Sequence, residues 1–250
     1  MSDNHILVER DGAVQIIRFN RPDKKNAITR AMYEAMTTAL KAGEADEAVK
    51  AHVFLGTKGA FSSGNDLKDF MAFAMGGAMG TEVFDFLNCL ATLAKPVVSG
   101  VDGLAIGIGT TIHMHCDLTF ATAGSVFKTP FVDLALVPEA ASSLLAPASM
   151  GHQRAYAMLA MGEAFSADEA RDAGLIWKVV GDDALESETI AAAQMLAAKP
   201  PVALSIAKRL LKGDQQAVLA RIAEEGQHFA AQLKSDEAKA AFMAFMARKG

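Results

Sequence analysis

Strand and helix signals along this chain come in one order, strand, strand, helix, and that order recurs at a spacing of roughly forty to fifty residues. A period of that length points to stacked supersecondary units, none of which can close a core alone. "ILVERDGAVQIIRFN" reads as two strands about a turn at Asp11-Gly12. "TRAMYEAMTTALKAGE" follows as a helix, with Met32, Met36 and Leu40 at helical spacing and Thr29 as its N-cap. "HVFLGT" at 52–57 is a buried strand that runs into the turn-rich "KGAFSSGND". "FDFLNCLATLA" is helical up to Lys95-Pro96, and "VVSGV", the glycine-punctuated "DGLAIGIG" and "LTFATAG" supply further strand signals. The units share no visible identity, so the repeat is one of pattern.

After Lys199-Pro200-Pro201 the texture changes. Ala203, Ile206, Ala207, Leu210 and Leu211 fall on one helical face, and Val218, Ile222, Phe229 and Leu233 line a second helix. "SDEAKAAFMAFMARKG" makes a third, with acids in its first turn. Helices in series with no strand between them are expected to pack on the first part or on another subunit. The chain is therefore divided into 1–198, a repeat core, and 199–250, a helical region. A composition of 51% hydrophobic residues against 21% charged leaves apolar surface in excess, which favours self-association. A net charge of −5 with no basic run argues against nucleic acid as the main partner, although a local lysine cluster can still meet an acidic ligand. Cys89 and Cys116 are too few for a disulfide framework and suit a reducing compartment. The N-terminal "MSDNHILVERDG" lacks a signal-peptide apolar region, and no apolar run reaches membrane-spanning length. The expectation is a cytoplasmic protein with no membrane partner.

Several patterns look like chemistry. "HMHCD" (His113, His115, Cys116, Asp117) has the composition of a metal cluster, but its flanks read as a buried helix, where residues i and i+2 do not share a face. Core residues are the simpler reading. "GIGTTI" from Gly107 begins like a dinucleotide fingerprint but lacks the third glycine and the acid about 20 residues on. No G-x-S-x-G is present to make a nucleophile elbow. Two glycine-bearing turns remain, "FSSGNDL" at 61–67 and "GLAIGIG" at 103–109, each after an apolar strand. Such turns can aim unpaired backbone N–H groups at one point, and two convergent donors make an oxyanion hole. Downstream, "ALVPEAASS" leaves Glu139 alone among apolar and small residues, with no cation near it in sequence.

Taken together, "NRPDKKNAITRAMY", "FSSGNDL", "KPVVSGVDGLAIGIG" and "CDLTFA" resemble the crotonase (enoyl-CoA hydratase/isomerase) superfamily in order and spacing, over nearly the whole chain. Through "FSSGNDL", "FKTPFVDL" and "PEAASS" the chain is most similar to the peroxisomal-type 3-enoyl-CoA to 2-enoyl-CoA isomerases of that superfamily. The resemblance implies an α/β fold, a crotonase-like spiral of β-β-α repeats with a C-terminal helical trimerisation region. It implies oxyanion donors at the backbone N–H groups of Asn65 and Ile108. Many relatives carry glycine at the latter position, and the β-branched side chain keeps the amide while constraining the turn. The two catalytic glutamates of the hydratases fall at Thr111 and Phe131, so both are absent. The isomerases' base falls at Glu139. By the same resemblance an acyl-CoA thioester is the substrate and no cofactor is needed. Lys24, Lys25, Ser63, Gly64, Asn65, Asp66, Leu67 and Lys68 line its path, while Phe245 and Lys249 on the final helix complete a neighbour's site in a homotrimer or pair of trimers.

Moving a double bond from C3–C4 to C2–C3 needs one proton removed at C2 and one returned at C4. A single carboxylate in apolar walls suits both steps, because desolvation makes it a stronger base. Glu139, following Pro138, is expected to open a helix, whose N-terminal dipole would oppose that effect. Two other readings stay open: a hydratase or another reaction of the superfamily, such as isomerisation of a ring-derived acyl-CoA, and a non-catalytic acyl-CoA binder.

Overall fold

The computed structural model describes residues 4–69 and 80–247. Strands β1 (Ile6–Asp11) and β2 (Val14–Phe19) form the expected antiparallel hairpin, in register from Asp11↔Val14 to Ile6↔Phe19. Gly12 in the connecting turn has φ +57°, a conformation glycine adopts without steric cost. Helix α1 (Arg30–Ala45) starts at Thr29, whose hydroxyl accepts from Met32 N, and buries Met32, Tyr33, Met36 and Leu40.

Paired strands then follow: β3 (Ala51–Leu55) with β4 (Ala60–Ser62), β5 (Val97–Val101) with β6 (Leu104–Ile106), and β7 (Leu118–Thr122) with β8 (Val126–Lys128). Each pair gives its first strand to a larger sheet, ordered β1-β2-β3-β5-β7-β10, and its second to a smaller one, ordered β4-β6-β8-β9. From β2 to β10 (Lys178–Val180) the larger sheet is parallel; in the smaller, only β9 (Phe165–Ser166) runs antiparallel. This is the spiral of strand pairs that the family resemblance implied.

The uniform period does not survive, however. β3, β5 and β7 begin at residues 51, 97 and 118, so the second interval is about half the first. Where α2 (Glu82–Thr92) bridges one interval, the next is bridged by the single turn α3 (Ile108–Thr111) and a short 3₁₀ segment at 112–114.

Parallel strands covered on both faces read as continuous apolar runs rather than alternating ones. Here Val14, Ile16, Val53, Leu55, Val98 and Phe120 pack with Leu185 and Ala193 of α7 (Leu185–Ala197). Their neighbours Ile17, Phe19, Phe54, Val97, Val101 and Ala121 face the main core. Helices α4 (Ser142–Met150), α5 (His152–Leu159) and α6 (Ala167–Asp172) enclose the rest of that core.

The last helices divide their loyalties. α9 (Gln215–Leu233) packs on α2 and α4 through Ile222, Phe229 and Leu233, and α10 (Asp236–Ala247) lies against residues 132–134. The apolar face expected on α8 (Pro201–Lys212) is real but uncovered in the single chain: Val202, Ile206, Leu210 and Leu211 are all exposed. Among the described residues no single helix is long and apolar enough to cross a membrane.

Candidate active site

The first glycine-bearing turn is stitched to the loop before α1. Asn26, fully buried, donates from Nδ2 to Ala60 O (2.8 Å) and Phe61 O (3.1 Å), and its carbonyl accepts from Ser62 Oγ (2.9 Å). Ser63 N donates to Lys25 O, Ile28 N to Gly64 O and Asp66 N to Ile28 O, a ladder that skips the Asn65 amide. Gly64 holds φ +92° where a Cβ would meet Ile106 O at 2.9 Å. The second turn behaves alike. Gly107 N donates to Lys128 O, while Thr110 N and Thr111 N donate to Gly107 O, so the Ile108 amide is passed over. Gly107, at φ +59° and ψ −122°, occupies backbone space essentially closed to side-chain-bearing residues. A Cβ on it would stand 4.0 Å from Gly64 Cα, which sets the two turns side by side. Both amides therefore have no partner among the described residues and belong to adjoining turns on one cleft.

That cleft, of about 940 Å³, is lined by Lys24, Lys25, Ser63, Gly64, Asn65, Asp66, Leu67, Lys68, Ile108 and Phe131. Phe245 of α10 also lines it, so this residue, expected at a neighbour's site, lines the cleft of its own chain. Lys249 lies outside the described residues. Asp66 and Arg21 form an ion pair at 2.6 Å at the same wall, and the arginine holds the Asp66 carboxyl below its ordinary range against the effect of burial.

Glu139 does not line this cleft but an adjoining cavity of about 40 Å³, with Val83, Phe84, Leu87, Ile222 and Gly226. Asn65 and Phe229 line both spaces. The carboxyl group is buried, and among the described residues its one hydrogen bond comes from Thr111 Oγ1 to Oε1 at 2.6 Å. Burial raises its pKa to about 8; Thr111 acts in the opposite sense, and the nearby Glu225 carboxyl adds to the rise.

The helix expected to start at Glu139 starts three residues later, at Ser142, after Ala140 and Ala141 in the left-handed region. Its first amides are taken by Glu225 of α9, which accepts from Ala141 N (2.6 Å) and Ser143 N (2.9 Å). The helix dipole thus acts on Glu225, and desolvation governs Glu139.

Sequence reasoning missed three contributors. Tyr33 is buried on α1 and donates to Asn65 Oδ1 at 2.6 Å; a tyrosine among Met32 and Met36 on a core face always leaves a hydroxyl to satisfy. Thr111, noted only for the carboxylate it replaces, touches Glu139 directly. Glu225 interrupts the apolar stripe Ile222–Phe229–Leu233, a detectable anomaly. The "HMHCD" residues go elsewhere: His113 Nδ1 pairs with Ser99 Oγ (2.9 Å), His115 Nε2 donates to Ala140 O (2.7 Å), and Asp117 meets Lys208 Nζ (2.9 Å). Burial lowers the two imidazoles to about 3 and about 4, so both are neutral. Among the described residues no three His, Cys, Asp or Glu side chains converge as a metal site would require.

Residues 9–250 match the enoyl-CoA hydratase/isomerase family. The chain belongs to that family. It is 37% identical over 251 residues to rat enoyl-CoA delta isomerase 2, covering 98% of this chain and 64% of the rat protein, so it spans a little under two thirds of that relative. It is 35% identical to mouse peroxisomal enoyl-CoA delta isomerase 3, over 98% of this chain and 78% of the mouse protein. The solved structure of Pseudomonas aeruginosa OdaA superposes with a TM-score of 0.93 at 38% identity, covering 98% of this chain and 99% of that one. The fold is therefore the crotonase-type spiral.

Proposed function

We propose that this family member is an acyl-CoA double-bond isomerase that converts 3-enoyl-CoA to trans-2-enoyl-CoA with Glu139 as its base. The observation that carries the proposal is the buried Glu139 carboxyl beside Asn65, with Thr111 and Phe131 where hydratases have their glutamates. The thioester sits with its carbonyl oxygen at the amides of Asn65 and Ile108. Glu139 takes a proton from C2, and the electron pair of the C2–H bond delocalises into a dienolate. The negative charge on oxygen meets two fixed donors, each worth about 3 kcal/mol in such sites. The protonated Glu139 then delivers its hydrogen to C4: the C3–C4 π pair forms the new C4–H bond, the C1–C2 π pair of the dienolate moves to C2–C3, and a pair on the oxygen re-forms the thioester carbonyl. A positioned base of this kind contributes roughly 10²–10⁴-fold. Nothing in the balance calls for a cofactor.

Lys24, Lys25 and Lys68 at the cleft put positive charge where the CoA phosphates enter, while Ser63, Gly64, Asp66 and Leu67 form the path and Phe245 a wall. The region 199–250 completes the site and builds a trimer or a pair of trimers, a reading supported by the uncovered α8 face. The unbridged Cys89 and Cys116 support a reducing, cytoplasmic setting. Supplying 3-enoyl-CoA and 2-enoyl-CoA separately tests the reading. Conjugation of the first, lost in Glu139→Gln with thioester binding kept, is expected. Water addition to the second that persists in Glu139→Gln contradicts it, as does binding without turnover of either.

A further inference from the structure

Glu225 takes no part in the proton transfer just described, yet its carboxyl is buried on α9, within the stripe that packs against α2 and α4. Its two oxygens accept from Ala141 N and Ser143 N, at 2.6 and 2.9 Å. One turn earlier on the same helix, Arg221 Nη1 donates to Ser143 Oγ at 2.9 Å. The backbone held this way is unusual. Ala140 and Ala141, directly after Glu139, have φ +61° and +55°, a left-handed conformation that alanine keeps only where its surroundings impose it. From the other side His115 Nε2 donates to Ala140 O at 2.7 Å. Amides at a buried helix start must also find an acceptor, and Glu225 supplies it from a different element.

We propose that Glu225 is the positioning residue of the Glu139 turn: by fixing the amides of Ala141 and Ser143 it holds two consecutive left-handed alanines and so aims Glu139 at Thr111 and the cavity behind Asn65. This rests on the reading of Glu139 as the base. A second consequence follows from charge. Burial raises the Glu139 carboxyl most and raises Glu225 as well; in its ionised form Glu225 adds a smaller rise to Glu139, as a like charge does. The other groups facing Glu139 are the hydroxyls of Thr111 and Tyr33. Those facing Glu225 are the Ser143 hydroxyl, the amides of Ala141 and Ser143, and Arg221, itself paired with Glu224. α2, packed against the same helix, presents the Phe84 ring to Gly226, while its acids Glu82 and Asp85 are engaged by Arg30 and Thr81. Lys208 and Lys212 are engaged at Asp117 and the His115 carbonyl.

The test compares Glu225→Gln, which keeps one acceptor oxygen, with the double variant Glu225→Gln/Ala141→Gly, in which glycine adopts the left-handed turn unaided. In Glu225→Gln, kcat is expected to fall tenfold or more with KM changed less than threefold, and the ascending limb of kcat/KM against pH to move to lower pH. The added glycine should restore kcat severalfold and leave that limb low, since the charge is still missing. A merely structural role would lower the melting temperature without moving the limb. The ¹³C-carboxyl titration of Glu139 in the ligand-free protein reads the same coupling without turnover, so it separates failure of this proposal from failure of the isomerase reading. A Glu225→Gln protein with wild-type kcat, with an unmoved Glu139 titration, or with a loss that Ala141→Gly does not recover overturns it.

Discussion

Raising a buried carboxyl from its ordinary 4.5 to about 8 has a thermodynamic signature that can be read without any substrate. The folded protein keeps the Glu139 proton over a pH range in which the unfolded chain has already released it. Its contribution to stability is therefore fully present below pH 4.5 and is lost as pH rises through about 8. At 1.36 kcal/mol per pKa unit, ionising Glu139 in the folded state costs about 5 kcal/mol in all, of which about 4 kcal/mol falls between pH 5 and 9. Glu139→Gln removes the titration and keeps the shape. Urea denaturation of both proteins across that range should show the variant gaining on the wild type by about that amount, with most of the gain in place by pH 8. Kinetics must follow the same group. Only roughly a tenth of free enzyme carries ionised Glu139 at pH 7, so kcat/KM should rise nearly tenfold per pH unit below 8 and flatten above it. A stability gap that does not change with pH, or a kcat/KM that is flat from pH 6 to 9, would refute the assignment of desolvation as the governing effect.

Two further outcomes are expected. Thr111→Val removes the hydrogen bond from Thr111 Oγ1 that favours the Glu139 anion, so the ascending limb of kcat/KM should move up by about one pH unit, as measured on 3-enoyl-CoA. Leu211→Glu places a charge on a residue 88% exposed in the single chain, at the C-terminal end of the uncovered α8 face; light scattering should show smaller assemblies than for the wild type, with unchanged circular dichroism.

Much of this was legible in the sequence because the signals were local. Thr29 capped its helix, Asp11-Gly12 closed its hairpin, and apolar runs such as "VVSGV" announced strands buried on both faces. The two glycine turns and Glu139 could each be read as candidates, since each rests on its own neighbours. What stayed hidden depends on chain separation. Glu225 is 84 residues from the Ala141 amide it caps, and Tyr33 is 32 residues from Asn65. No periodicity encodes such pairs. The helix expected at Pro138-Glu139 failed for a similar reason: a proline followed by small residues is a fair helix start, but Glu225 and His115 stabilise a left-handed turn there first. The even repeat failed because one short helical turn can return the chain to the sheet where α2 needs three.

The central claim is that one enclosed carboxyl carries a hydrogen from C2 to C4 of a single bound acyl chain. It is tested most directly with 3-enoyl-CoA dideuterated at C2, turned over in ordinary water, with the product's C4 examined by mass spectrometry. Deuterium at C4 in a measurable share of molecules at first turnover is predicted, because the cavity around Glu139 limits exchange with solvent. A product whose C4 hydrogen comes only from water would contradict the account.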